Sequence, residues 1–443
     1  MGESQERTHL AGLDGLRGLA AVSVVAYHVS NVLSPGVRHR EPGLVFALHQ
    51  GLGLFFVLSG FLLYLGFAGR LVDGRPLPSL RRYAANRAFR VWPAYLVVLL
   101  VTNCVLGLSF VWPRGIGRLD APGLAADLTM MQAYSPHHIR TGLEVAWTLT
   151  VELTFYAVLP LVALLASRVG RRLQGWQRAS LPPLVLLVVG AAGALVRAVF
   201  HATHGRELHG WGRDWESVVS RSLLMHGQLF AFGMAAALVY LAVRRGAVSA
   251  TVARFGAVTG GVAAGALALS HRRWESADTL AALAFAAVLV VAVTPTRTGA
   301  TSLLGRLLDT HVLQRLGLVS YSVYLWHMPV VRGLAAWVPG FGAGGGWAYV
   351  SATAAVVGLT LVLAKLTYVL VEQPALRLRS IISRRMSAQH ARIGVEPSPS
   401  DRNFLKFEGR GAGTPQRDEA ATPKGDGLVT LHPAVAERAR STG

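Results

Sequence analysis

A single cysteine, Cys104, stands among 443 residues, which excludes a disulfide framework and a cysteine-based metal site. Lysine occurs only three times, at Lys365, Lys406 and Lys424, so the 43 basic residues are nearly all arginines. Charge is scarce overall, at 15% of the chain against 52% hydrophobic residues, where soluble domains carry about 25% charged residues. A soluble enzyme is thereby disfavoured. Acidic residues are fewer still, 23 in all, leaving a net charge of +20. In a soluble chain that surplus would point to nucleic acid, so its meaning depends on where it lies.

The sequence is rich instead in long apolar runs, such as 96–106, 181–199 and 353–363. A membrane-spanning helix needs about 20 mostly apolar residues at ~1.5 Å each. Ten stretches qualify, near 13–33, 44–66, 90–110, 147–167, 181–200, 219–241, 253–270, 277–294, 316–337 and 348–371. The expected fold is therefore an all-α polytopic membrane protein of about ten transmembrane helices. No basic leader or small-residue cleavage pattern precedes the first span, which is expected to be a retained anchor.

The arginines orient these spans. With the N-terminus inside, the cytoplasmic gaps and C-terminal flank hold 21 basic residues and the outer gaps nine. The bias favours both termini in the cytoplasm, and an even number of spans agrees. After about residue 376 the composition turns to Pro, Ser, Gly and mixed charge, with 12 basic and 7 acidic residues. Such a segment buries too little apolar surface to offset its ordering entropy. The expected organisation is a cytoplasmic segment over 1–12, one membrane domain over 13–375, and a basic, largely disordered cytoplasmic tail over 376–443.

Several constellations inside or beside the spans are candidates for chemistry. Arg17 and His28 are eleven residues apart, three helical turns plus about 20°, so they share one face roughly 16 Å apart along the axis. An ionisable residue within a span is costly and is a functional candidate, although Arg17 could serve only as a topology anchor and His28 as a hydrogen-bonded interior histidine. Ser59 and Gly60 are small residues between aromatic ones and would admit either a neighbouring helix or a thin ligand. Arg87 and Arg90 are i,i+3 neighbours able to address one anion together, and guanidinium forks suit phosphate; positive-inside marking is the plainer reading. Glu152 stands five residues into its span, among Thr150, Thr154 and Tyr156. At about the depth of His28, its carboxylate could orient an imidazole. Tyr321, Tyr324 and His327 recur at i, i+3, i+6 in the ninth span. Glu372-Gln373-Pro374 closes the tenth, where Pro374 is expected to end the helix.

In this order and spacing the set resembles the acyltransferase-3 family of bacterial integral membrane O-acyltransferases. The likeness covers about residues 11–376. It rests on Arg17 with His28, the segment 55–61, Arg87 with Arg90, 147–156, 321–329 and Glu372-Gln373-Pro374. Two departures are visible. The family's Ser-x-Glu-Glu reads Thr150-Val151-Glu152-Leu153, with one acid, and its Glu-Arg-Pro close has Gln373 in the middle.

The resemblance implies acyl transfer from cytoplasmic acyl-CoA, acetyl-CoA in the first instance, to a sugar or other hydroxyl, with no metal and no permanently bound cofactor. Its hallmark residues fall on Arg17, His28, Arg87 and Arg90. On this reading Arg87, Arg90 and Arg17 hold the CoA phosphates, and the pantetheine arm passes Ser59 and Gly60. His28 acts as general base or takes the acyl group first. Glu152 orients His28, and Tyr321 or His327 donates to the developing oxyanion. The acceptor expected first is a cell-envelope glycan or glycolipid, and second a secreted natural product such as a macrolide. The surrounding partner is membrane lipid, and nucleic acid has no part. A proton-coupled transporter or flippase would also place Arg, His and Glu inside spans. It would be expected to show broken helices in paired halves, which the sequence lacks. A scaffold acting through the basic tail on anionic lipid is the third possibility.

Overall fold

The computed structural model describes residues 10–112, 114–204, 212–272, 276–296 and 299–381. Ten long helices dominate it: α1 (Leu13–Val32), α2 (Gly51–Asp73), α3 (Leu80–Leu100), α4 (Trp147–Val169), α5 (Gly175–His204), α6 (Leu223–Arg244), α7 (Ala250–Ser270), α8 (Ser276–Val293), α9 (His311–Trp337) and α10 (Gly346–Thr367). Each falls on one of the ten expected spans. By length and composition eight helical stretches are apolar enough to cross a membrane, namely all but those holding α1 and α9. The two exceptions have a simple cause. They carry Asp14, Arg17 and His28, and His311, Arg315 and Arg332, which depress their hydropathy, and they line the interior. Large apolar side chains such as Leu161, Leu165, Val188, Leu195, Val262 and Val362 face outward, as a lipid-facing surface requires. Among the described residues the only strands form an antiparallel ribbon, Ser109–Val111 with Gly115–Gly117. The protein is a multi-pass membrane protein.

Close approach of backbones decides which helices meet. α1 lies along α9, where a Cβ on Gly317 would come within 2.1 Å of the Asp14 carbonyl. α2 lies along α6 in the same way. A Cβ on Gly60 would stand 2.2 Å from the Phe230 carbonyl, and one on Gly233 1.9 Å from that of Val57. Gly60 thus serves close helix packing. The last span also departs from expectation. Pro374 does not end it: a π-helical turn, Tyr368–Glu372, precedes the proline, and helix continues to Ile381. Pro374 falls in the first turn after that widening, where a missing N–H is tolerated. The segment 382–443, expected to be a tail, lies outside the described residues.

The arginine-rich end accounts for much of the positive charge without a ligand. Arg254 Nη1 donates to the carbonyls of Val291 and Thr294 at 3.1 and 3.0 Å, and Arg178 Nε to that of Gly170 at 3.2 Å. Arg70 Nη1 donates to the Pro76 carbonyl at 2.9 Å, and Arg245 pairs with Asp73 at 2.8 Å. These guanidiniums satisfy carbonyls left over at helix ends and loops.

At the opposite end the 107–146 connection is held by a buried carboxyl. Asp127, in the short helix Ala121–Leu128, accepts from Thr141 Oγ1 at 2.8 Å on Oδ2, and its carbonyl accepts from the Tyr95 hydroxyl at 2.8 Å. Burial pushes this carboxyl up to about 7, against the pull of the Thr141 bond. A raised carboxyl favours the folded state in its protonated form. That stabilisation is complete below about pH 4 and is lost as pH rises to about 7. Hydrogen-exchange protection of the 121–142 segment is expected to weaken over this window in the wild-type protein and to stay constant in Asp127→Asn. Equal pH dependence in both proteins would contradict the assignment.

Candidate active site

Two tiers of polar residues lie inside the helix bundle, joined by α1. The first is nearer the arginine-rich end and collects residues from six elements. Glu152 Oε1 on α4 accepts from Ser59 Oγ on α2 and from the Tyr156 hydroxyl, each at 2.6 Å. The Arg87 guanidinium on α3 lies 5.7 Å from the centre of the Tyr156 ring. Arg17 on α1 stands within electrostatic reach of Arg90, Glu152 and Tyr156. Glu372, in the π-turn after α10, accepts from Ser322 Oγ on α9 and is reached by Arg90 and Arg17. The turn widens the backbone where this acid must face inward. Three guanidiniums thus meet the carboxylates of Glu152 and Glu372, with Asp14 also reaching Arg17.

The second tier holds imidazoles. The ring of His28 on α1 lies 5.1 Å from that of His327 on α9, centre to centre. His327 is completely buried, and its Nδ1 sits 2.6 Å from the Tyr324 carbonyl. A carbonyl only accepts, so Nδ1 carries the proton and Nε2 presents a lone pair, the tautomer that a proton acceptor needs. Nε2 is buried without a hydrogen-bond partner. Tyr27 stands edge-on to His28 and also touches His49. The Tyr324 hydroxyl is held by the Val145 carbonyl at 2.8 Å and by Thr148 Oγ1 at 2.5 Å. Phe55 packs edge-on against Tyr324.

The sequence-predicted residues therefore divide. Arg17, Arg87, Arg90, Ser59 and Glu152 come together in the first tier, and His28 and His327 in the second. Three of the predicted residues have the following surroundings. Glu152 takes Ser59 and Tyr156 as its hydrogen-bond partners, and no hydrogen bond joins it to His28 among the described residues. Tyr321 donates its hydroxyl to the Val91 carbonyl at 2.7 Å, in the first tier. His327 has its Nδ1 engaged with the Tyr324 carbonyl and its ring beside that of His28. Tyr156 and Ser322 lie in segments singled out from the sequence but were given no role there. The outer pair Glu144 and Arg332, 188 residues apart, left no local signal at all. Among the described residues no group of three or more His, Cys, Asp or Glu could hold a metal ion.

The interior is thus lined by cations at one depth and by imidazoles at another, a polar site embedded within the membrane domain. Residues 10–369 match the acyltransferase-3 family, described as an acyltransferase domain. The chain belongs to that family of integral membrane O-acyltransferases, and it is an acyltransferase. It is 28% identical over 414 residues to nodulation protein 10 of Rhizobium leguminosarum bv. viciae, a match covering 87% of this chain and all of that protein. It is 25% identical over 341 residues to the peptidoglycan O-acetyltransferase OatA of Listeria monocytogenes, covering 73% of this chain and 50% of the relative. The acyltransferase MdmB of Streptomyces mycarofaciens is 27% identical over 184 residues, 40% of this chain and 46% of its own. No solved structure matches the chain.

Proposed function

We propose that this protein is a multi-pass enzyme of the bacterial inner membrane. It transfers an acyl group, acetyl in the first instance, from cytoplasmic acyl-CoA to a hydroxyl of a cell-envelope glycan or glycolipid. The arginine-rich end is the cytoplasmic one, as the positive-inside bias requires. The observation that carries the reading is the placing of Arg17 in a cation-rich tier and His28 in an imidazole tier on one face of α1, about 16 Å apart. A polyanionic cofactor head suits the first tier, with Arg87 and Arg90 on its phosphates. An extended thiol arm spans the distance to the second.

There His28 takes the acceptor hydroxyl proton as the oxygen attacks the thioester carbonyl. The C–O ester bond forms, the C–S bond breaks, and the proton returns to the departing thiolate, leaving free CoA thiol. His327, its tautomer set by the Tyr324 carbonyl, keeps the His28 ring in place. The OatA relative is named for the same chemistry on peptidoglycan, which favours an envelope glycan here.

The test is mass spectrometry of envelope glycans from wild-type and deletion strains, paired with labelled acetyl-CoA and the purified protein in vesicles. The expected result is an acyl increment on a glycan that disappears with the gene, and label transfer that requires acetyl-CoA. No acyl difference on any glycan would remove the glycan acceptor. Vectorial substrate movement without acyl-CoA would instead support a transporter.

A further inference from the structure

A further polar group, joined to His28 through Tyr27, has no part in the transfer as derived above. Tyr27 touches two imidazoles, its ring 5.1 Å from that of His28 and 4.9 Å from that of His49. His49 ends the short helix Pro42–His49 that leads into α2, and its Nδ1 lies 3.8 Å from Asp278 Oδ1 on α8. The same oxygen accepts from Gln50 Nε2 at 2.8 Å. Asp278 is within electrostatic reach of His226 on α6, and His28 within that of His49. His226 stands edge-on to Phe56 and tilted beside Trp147, each ring 5.5 Å away. Asn31 lies one turn outward of His28 on α1, about 4.5 Å along the axis.

Three acceptor atoms in this group have no donor among the described residues. Asn31 Oδ1 is buried without a hydrogen-bond partner. Both partners of Asp278 converge on Oδ1, which leaves Oδ2 unengaged on a side chain that is 49% exposed. His226 Nδ1 sits 3.0 Å from the Ser222 carbonyl. A carbonyl only accepts, so Nδ1 carries the proton and Nε2 presents a lone pair with no hydrogen bond of its own. An acid in the first turn of α8 complements the helix dipole, which accounts for Asp278 alone. Acceptors left unpaired beside a base are costly in a helix interface. A ligand rich in O–H donors uses all three, and a polyol is such a ligand. An anionic one does not, since it adds acceptors and faces the Asp278 carboxylate at like charge.

Resting on the acyltransferase reading above, we propose that Asn31, Asp278 and His226 form the acceptor subsite beside His28, and that the acceptor is an uncharged carbohydrate. Its hydroxyls donate to Asp278 and His226, and the reacting hydroxyl is thereby set between Asn31 Oδ1 and His28. The three residues position and select the acceptor before the thioester is attacked. The proton transfer itself stays with His28.

The experiment uses the whole protein in nanodiscs of zwitterionic lipid. Binding is measured for two matched pairs of probes, glucose with glucuronate tetramers and galactose with galacturonate tetramers. Within a pair the members differ only in the carboxylates on C6. Binding and turnover of acetyl-CoA are followed in parallel. At least one neutral probe is expected to bind the wild type about tenfold or more tightly than its acidic partner, as a hydrogen bond to a charged group allows. Asp278→Asn removes the charge and keeps an oxygen for Gln50. The neutral probe should weaken about tenfold there, and its advantage over the acid should fall toward one. Asn31→Ala lies on another helix and guards against loss of fold in the Asp278 variant. It should weaken both members of the pair about two- to tenfold, with the neutral preference kept.

Equal affinity within both pairs, preference for the acidic member, or no binding of any probe would overturn the proposal. So would a neutral preference that survives Asp278→Asn, or unchanged affinity in Asn31→Ala. If Asp278→Asn weakens both members of a pair alike, the proposal also fails, and His49, Gln50 and Asp278 are a brace between α2 and α8. Failure of the acyltransferase reading looks different. The wild type then neither binds nor turns over acetyl-CoA, while the neutral preference and its dependence on Asp278 still decide the sugar site.

Discussion

His28→Ala is expected to lower acyl transfer by about two to four orders of magnitude, the contribution of a positioned general base, with acyl-CoA affinity nearly unchanged. The prediction follows from the separation of the tiers. His28 lies among His327, Tyr27 and His49, about 16 Å along α1 from Arg17. Removing its imidazole deletes the proton acceptor while leaving Arg17, Arg87 and Arg90 in place. A His327→Gln variant makes the contrast. The buried ring next to His28 is lost, so kcat falls, whereas KM for acyl-CoA holds. Steady-state kinetics with equilibrium binding of acyl-CoA separates the two effects. Transfer within tenfold of wild type in a folded His28→Ala protein would remove His28 from the chemistry. A loss of acyl-CoA binding equal to the loss of rate would move it into the cofactor site.

The second large effect belongs to the arginine pair. Arg87→Ala and Arg90→Ala are each expected to raise KM for acetyl-CoA by about 10- to 100-fold. That follows from about 1.5–3 kcal/mol for a hydrogen bond to a charged group. The loss should be selective. Acetyl-pantetheine carries the thioester without the nucleotide phosphates, so the wild-type preference for acetyl-CoA over it should collapse in these variants, while the rate with acetyl-pantetheine changes little. Added salt should weaken acetyl-CoA binding to the wild type and act less on the variants, because screening operates on the contacts already removed. Arg17→Ala should do more than either. Arg17 also faces Glu152 and Glu372, and its loss leaves two acids opposite a weakened cation set. An undiminished preference for acetyl-CoA in the Arg87 and Arg90 variants would place the phosphates elsewhere.

Much of this was legible in the amino-acid order, for a physical reason. Hydropathy is a sum over neighbours, so all ten long helices fell where the apolar runs placed them. The shared face of Arg17 and His28 is a matter of turns along one helix, and the i,i+3 neighbourhood of Arg87 and Arg90 likewise. Pro374 shows where local rules stop. A proline that ends a regular helix does not end one already widened by the turn Tyr368–Glu372.

The partners these residues take all depend on which helices touch. Glu152 and His28 match in depth on paper, yet the bundle gives the acid Ser59 and Tyr156 as its hydrogen-bond partners. Gly60 serves the close packing of α6, and His327 gained its position beside His28 because Gly317 lets α9 lie on α1.

The sequence by itself determined the spans, their orientation bias, the family and the residues that bear charge inside the bundle. The tertiary structure decided their partners: cations with Glu152 and Glu372, His28 with His327, and Glu144 with Arg332 from 188 residues away. Helix periodicity is written locally, residue by residue. Helix adjacency is written in a few small residues and in surfaces that acquire meaning only against each other.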